Sequence, residues 1–105
     1  MTGAQMIARE RTRQREEEGW SAAHDDGHTR GELAIAAAVY ALSEPVRENT
    51  ILGRSLRYVL WPWDQRWWKP DRHDRIRELV KAGALIAAEI DRLQRLASAP
   101  EGDAR

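Results

Sequence analysis

Apolar positions in the last third of the chain, Ile76, Leu79, Val80, Gly83, Ile86, Ala87, Ile90, Leu93 and Ala97, recur at steps of three and four. That spacing lines one face of a helix, and it predicts a helix over about 71–97. Pro70 or Asp71 can open it, and Asp74 suits its first turn. The pattern is also heptad-like, which would let this helix pair across a homodimer. Upstream, Leu33 to Leu42 carries apolar residues on every face and predicts a central helix buried on most sides. Thr29 and Glu32 match the S/T-x-x-E capping box at its start, and Pro45 reads as its close. From Gln5 to Glu18 the chain is polar and helix-favouring, with Gly19 as the stop. Residues 45–60 read as a loop with a short helix, and no strand pattern competes. The expected fold is therefore all-α: one domain over 1–105, a small bundle of three main helices with a Trp-rich loop. Fraying is expected at 1–4 and 98–105.

The first helix changes sign along its length. Arg9, Arg11, Arg13 and Arg15 precede Glu16, Glu17 and Glu18, so three carboxylates stand at the end that favours cations. Such a conflict marks function or a neighbour that supplies positive charge. The plainer reading is a solvated helix whose arginines pair a turn away, for example Arg13 with Glu17.

Composition narrows the classes of function. The chain has 105 residues, 17 basic and 17 acidic, and no cysteine. Zero net charge argues against a duplex nucleic-acid binder that relies on bulk charge, and lack of cysteine excludes disulfides and thiolate metal sites. No apolar run is long enough for a signal segment or a membrane span, so the chain reads as soluble and cytoplasmic. Fifteen of the basic residues are arginine. With the abundant alanine this fits high-GC coding bias, or arginines kept for bidentate phosphate or carboxylate recognition.

The aromatic residues gather at one place. Trp61-Pro62-Trp63-Asp64 and Trp67-Trp68-Lys69-Pro70 hold four of the five tryptophans, and there is no phenylalanine. Indoles either anchor a core or stack on a planar ligand, and an alanine-rich bundle needs some of them inside. Asp64, Arg66, Lys69 and Arg72 lie among or just after them. Aromatic faces beside cations are what a nucleotide site needs, an indole under the base and a cation on the phosphate. Trp61, Trp63, Trp67 and Trp68 with these four polar residues form the candidate ligand site, with some indoles packed and others facing it.

A second constellation, Glu17, His24, Asp25, Asp26, His28 and Glu32, is acidic and histidine-rich. Carboxylates and imidazoles are ligands for hard or borderline cations. Glu17, Asp25, Asp26, His28 and Glu32 are the candidate metal ligands, with magnesium as the one cofactor the chain could call for. Glu17, His24, Asp26 and Glu32 are the candidate catalytic groups. The spacing matches no strict ligand motif, and Asp25-Asp26-Gly27 is equally ordinary turn chemistry. The serines sit in no nucleophile elbow, and there is no phosphate-binding glycine loop.

Several blocks together resemble a family of small uncharacterised proteins of tailed phages and prophages. They are Arg11 to Trp20, His24 to His28, Gly31 to Ala34, the two tryptophan blocks, and Leu79 to Ile90. That resemblance covers nearly the whole chain and implies a phage-type accessory protein in the host cytoplasm. A looser similarity runs to the all-α nucleotide pyrophosphohydrolases of the MazG type, which hold magnesium on Glu-x-x-Glu and Glu-x-x-Asp pairs. Glu17, Asp26 and Glu32 could stand in for part of that cluster, while the last helix has no Glu-x-x-Asp. Three functions follow. The first is a binding protein that sequesters a nucleotide-like ligand or inhibits a host defence protein. The others are a magnesium-dependent nucleotide hydrolase and an assembly protein without a small ligand. The expected partners are a nucleotide-like molecule or a host protein and a second copy of the chain, with neither duplex nucleic acid nor membrane.

Overall fold

The computed structural model describes residues 1–98; expected fraying beyond Ser98 lies outside the described residues. The fold is all-α, with six α-helices, one 3-10 turn and a minimal hairpin among the described residues. Helix α1 spans Gly3–Glu17 and opens with a capping box in which Thr2 and Gln5 exchange side-chain and backbone bonds. Ser21 caps α2, Ala22–Asp26. Helix α3, Glu32–Ala41, starts differently from the expectation. Gly31 precedes it in the left-handed region at φ 78°, and Thr29 makes no cap. The Glu32 carboxylate accepts the Arg30 N–H instead, because the glycine turn moves the helix start past Thr29.

The stretch expected as a loop is more structured. Pro45 sits in the first turn of α4, Glu44–Arg47, so it opens a helix where the sequence reads as a stop. Strands β1, Thr50–Ile51, and β2, Arg54–Ser55, pair antiparallel. Their two-residue turn puts Leu52 at φ 53° and Gly53 at φ 81°, the mirror-image turn that matches strand twist. Helix α5, Leu56–Leu60, and a 3-10 turn at Gln65–Trp67 lead into α6, Arg75–Ser98. Helix α6 begins four residues later than Asp71 because Asp74 accepts from the Arg77 N–H while the Asp71 N–H is used by Glu78.

Helices α3 and α6 pack antiparallel: Arg75 at the start of α6 donates to the carbonyls of Tyr40, Ala41 and Leu42 at the end of α3. Alanines on both sides (Ala36, Ala37, Ala82, Ala88) let the axes approach, and Leu33, Val39 and Leu85 fill between them. Trp61 completes this core, with Trp20, Trp63 and Trp68 packed against it. Gly83 has a packing reason, since a Cβ there would stand 2.4 Å from Ile7 Cδ1 of α1.

Charged groups are built into the interior. The Arg47 guanidinium grips the Glu78 carboxylate in two bonds of 3.1 and 2.7 Å, and both residues are buried. Arg11 of α1 reaches Asp25, which is fully buried. Helix α1 is therefore not the solvated helix that its polarity suggested. Its buried residues are Glu10, Arg11 and Gln14, and it docks on α6 through ion pairs.

The face of α6 that the apolar pattern assigned to the core is mostly outside. Ile76, Leu79, Ile86, Ile90 and Leu93 are 46 to 61 % exposed, while Glu78, Leu85, Ala88 and Arg92 are buried. Among the described residues that side is left largely uncovered, except at buried Val80 and at Gly83, which meets Ile7 of α1. Among the described residues no helix is long and apolar enough to cross a membrane.

Candidate functional site

On its other side α6 forms the floor of a cavity of about 710 Å³, within the usual size of small-molecule sites. Helix α1 contributes Glu10, Arg13 and Gln14, and α6 contributes Arg77, Lys81 and Leu85. Most of the remaining wall is aromatic: Trp20, His24, His28, Tyr40, Trp61, Trp63 and Trp67. The rings form a continuous series. Trp20 stacks on His24 at 5.6 Å and 8°, His24 meets His28 edge-on at 5.0 Å, and His28 meets Trp63 at 5.1 Å. His24 within α2 and His28 just after it thus link that helix to the tryptophan segment.

The tryptophans divide between core and cavity. Trp61 is 6 % exposed; it meets Tyr40, Trp63 and Trp68 edge-on and donates its Nε1–H to the Asp64 carbonyl at 3.1 Å. Trp68 packs between the Tyr40 ring and the Arg47 guanidinium, away from the cavity. Trp63 is half-buried and lines the cavity, and Trp67 does so while 57 % exposed. Asp64 and Lys69 also lie on the lining. Arg66 and Arg72, expected there, do not. Arg66 lies over the Trp67 ring at 5.2 Å, and Arg72 points to Glu44 at 4.0 Å.

The cavity's charges are unevenly matched. Glu10 takes two bonds from Arg13 and a contact of 2.7 Å from Arg77. Burial works to raise its pKa, but the two guanidiniums prevail and hold it below the ordinary value. Arg13 also reaches Glu18 at 2.9 Å and Glu17 at 3.5 Å, so the expected Arg13–Glu17 pair is one member of a larger cluster. Lys81 is different. Its Nζ donates to the Lys69 carbonyl at 2.9 Å and lies 5.7 Å from the Tyr40 ring, and no carboxylate pairs with it among the described residues. Burial, then repulsion from Arg77, lowers its pKa. Tyr40 is pushed up to about 12 by burial, and its hydroxyl oxygen accepts the Lys69 N–H. Gln14 Oε1 and Trp63 Nε1, on two lining residues, are buried polar atoms without a protein partner.

The second constellation does not assemble. Among the described residues no three histidine or acidic side chains converge as a metal site. Arginines have taken the carboxylates one by one: Asp25 is held by Arg11 and Asp26 by Arg95, while Glu17 faces Arg13. Glu32 accepts from Arg30 N and lies 3.5 Å from His28. The expected metal set of Glu17, Asp25, Asp26, His28 and Glu32 is not brought together among the described residues. Of the catalytic candidates Glu17, His24, Asp26 and Glu32, only His24 lines the cavity.

Glu10, Arg13, Gln14, Trp20, Tyr40, Arg77 and Lys81 were not anticipated as lining residues. Their signal was present but faint. Arg77 and Lys81 are one turn apart on the side of α6 away from the apolar stripe, and Glu10, Gln14 and Glu18 repeat every fourth residue. Comparison with protein-family models, with curated proteins and with solved structures finds no match to this chain.

Proposed function

We propose that this chain is a small accessory protein of the phage type that acts by binding, holding a nucleotide-like ligand in the cavity between α1, α6 and the tryptophan segment. The observation that carries this reading is the pairing of an indole and imidazole wall with the Lys81 ammonium, which no carboxylate neutralises among the described residues. Aromatic faces take a base of any identity, and a cation in a half-enclosed site holds an anionic group. The hydrolase reading has less support, because Glu17 and Asp26 face arginines and Glu32 accepts a main-chain N–H.

A thermal-shift screen of nucleotides and cyclic nucleotides, with and without magnesium, tests it. Native-state binding raises the apparent melting temperature by mass action. A shift without magnesium is expected; no shift from any nucleotide would sink the reading, and a shift strictly dependent on magnesium would return the hydrolase.

The bare face of α6 favours a second copy as partner. A two-fold interface must complement itself. Laid antiparallel, the exposed stripe pairs Ile76 with Leu93 and Leu79 with Ile90, so these apolar residues meet one another. Light scattering across a concentration series should show a dimer dissociating on dilution; a monomer at every concentration would overturn it.

A further inference from the structure

The charge balance of the cavity defines the ligand more narrowly, on the condition that the nucleotide reading above holds. Four cationic residues line it, Arg13, Lys69, Arg77 and Lys81, against three carboxylates, Glu10, Glu18 and Asp64. The two guanidiniums are already committed. Arg13 bonds Glu10 and Glu18, and Arg77 lies 2.7 Å from Glu10. Drawing either onto a ligand would leave Glu10, which is 2 % exposed, as a buried carboxylate short of its partners, a costly state. Two ammonium groups remain. Lys81 Nζ meets only the Lys69 carbonyl and the Tyr40 ring, and the Lys69 side chain makes no ion pair among the described residues. The two residues are neighbours through the main chain, since the Lys81 ammonium bonds the Lys69 carbonyl, and both line the cavity.

We propose that the cavity holds a nucleotide with a single phosphate, as a monoester or a cyclic diester, between the ammonium groups of Lys69 and Lys81, and that it does so without a divalent cation. Two ammoniums match the one or two charges of one phosphate group. A triphosphate would bring further charges towards Glu10, Glu18 and Asp64, like sign against like. Magnesium offsets such charge through one or two carboxylates beside the phosphates, and here Glu10 and Glu18 are already bonded by Arg13. The base then lies along the aromatic wall, with Trp67 and Trp63 as the exposed and half-buried faces available for stacking.

Quenching of tryptophan fluorescence, supported by calorimetry in EDTA, provides the test. The probes are the four common ribonucleosides, their 5′-monophosphates, their 3′,5′-cyclic phosphates and their 5′-triphosphates. At least one single-phosphate ligand should bind about tenfold or more tightly than its nucleoside and its triphosphate. Lys81→Gln and Lys69→Gln should each remove most of that advantage over the nucleoside and leave nucleoside binding unchanged. Lys69→Gln keeps the main-chain bonds of residue 69, so it also serves as the variant that folds normally. Preference for a triphosphate, or an advantage that survives both substitutions, would overturn the single-phosphate proposal while leaving the nucleotide reading standing. Absence of binding by every probe would overturn both.

Discussion

The two sides of α6 invert the usual relation between polarity and burial. The side turned towards α1 and α3 buries Glu78 and Arg92 with Leu85 and Ala88, whereas the opposite side leaves Ile86, Ile90 and Leu93 about half exposed. The inner side can hold charge because partners arrive from elsewhere: Arg47 from α4 on Glu78, Glu10 from α1 on Arg77, and Glu89 within α6 on Arg92. The outer side has no such partner among the described residues. An apolar stripe therefore identifies where a helix seeks contact, and the fold of one chain need not provide it.

The largest expected effect comes from separating a buried pair. Glu78→Ala should cost about 3–5 kcal/mol in urea unfolding, because it leaves the Arg47 guanidinium buried and unpaired. Leu79→Ala, one residue along on the outer side, should cost under about 1 kcal/mol in dilute protein. Equal losses would erase the distinction between the sides. Leu85 and Ile86 give the same contrast for apolar groups. Leu85→Ala should cost about 2–5 kcal/mol, since the residue is 2 % exposed, and Ile86→Ala far less.

Acid should act on the inner side first. Burial tends to raise the Glu78 pKa, but the bonds from Arg47, the Asp71 N–H and Arg75 outweigh it and hold the group below its ordinary 4.5. Glu10 is depressed in the same way. A folded pKa below the unfolded one contributes stability that is complete above the unfolded value and is lost as pH falls through the folded value. Unfolding free energy measured from pH 7 to 3 should thus drop below about 4.5, and Glu78→Gln should flatten part of that slope. A stability that rises on acidification would contradict these pairs.

Smaller effects sharpen the picture. Tyr40→Phe removes the acceptor of the Lys69 N–H and should cost about 1 kcal/mol while loosening the tryptophan segment, visible as faster amide exchange at Lys69. Ile86→Glu with Ile90→Glu should change monomer stability least, within about 0.5 kcal/mol, yet abolish self-association in light scattering. Persistence of a dimer in that double variant would place the interface elsewhere.

Much of this architecture was legible in the chain. The C-terminal helix was plain from its periodicity and the central one from its unbroken apolar run, and their ends fell within a few residues of the expected ones. The cavity was partly legible: Trp61, Trp63, Asp64, Trp67 and Lys69 were singled out for a ligand and line it, while His24, which also lines it, was singled out for other chemistry. What escaped was of two kinds. Residues of α1 that line the cavity lie in a helix with no apolar face of its own, so periodicity was silent about its docking. The acidic loop looked like a metal site because a sequence does not reveal which arginine will meet which carboxylate, and Arg95 meets Asp26 from 69 positions away.

By itself the sequence determined the helical class, the concentration of indoles at one point and the presence of a long amphipathic helix. Each of these follows from local propensity, composition and the helical repeat, which act over a few residues. Only the tertiary structure decided which side of α6 is inner, which tryptophans face the cavity and which cations remain without a carboxylate. Those outcomes depend on pairings such as Arg47 with Glu78 and Arg77 with Glu10, made between distant segments whose charges must be neutralised wherever they are buried.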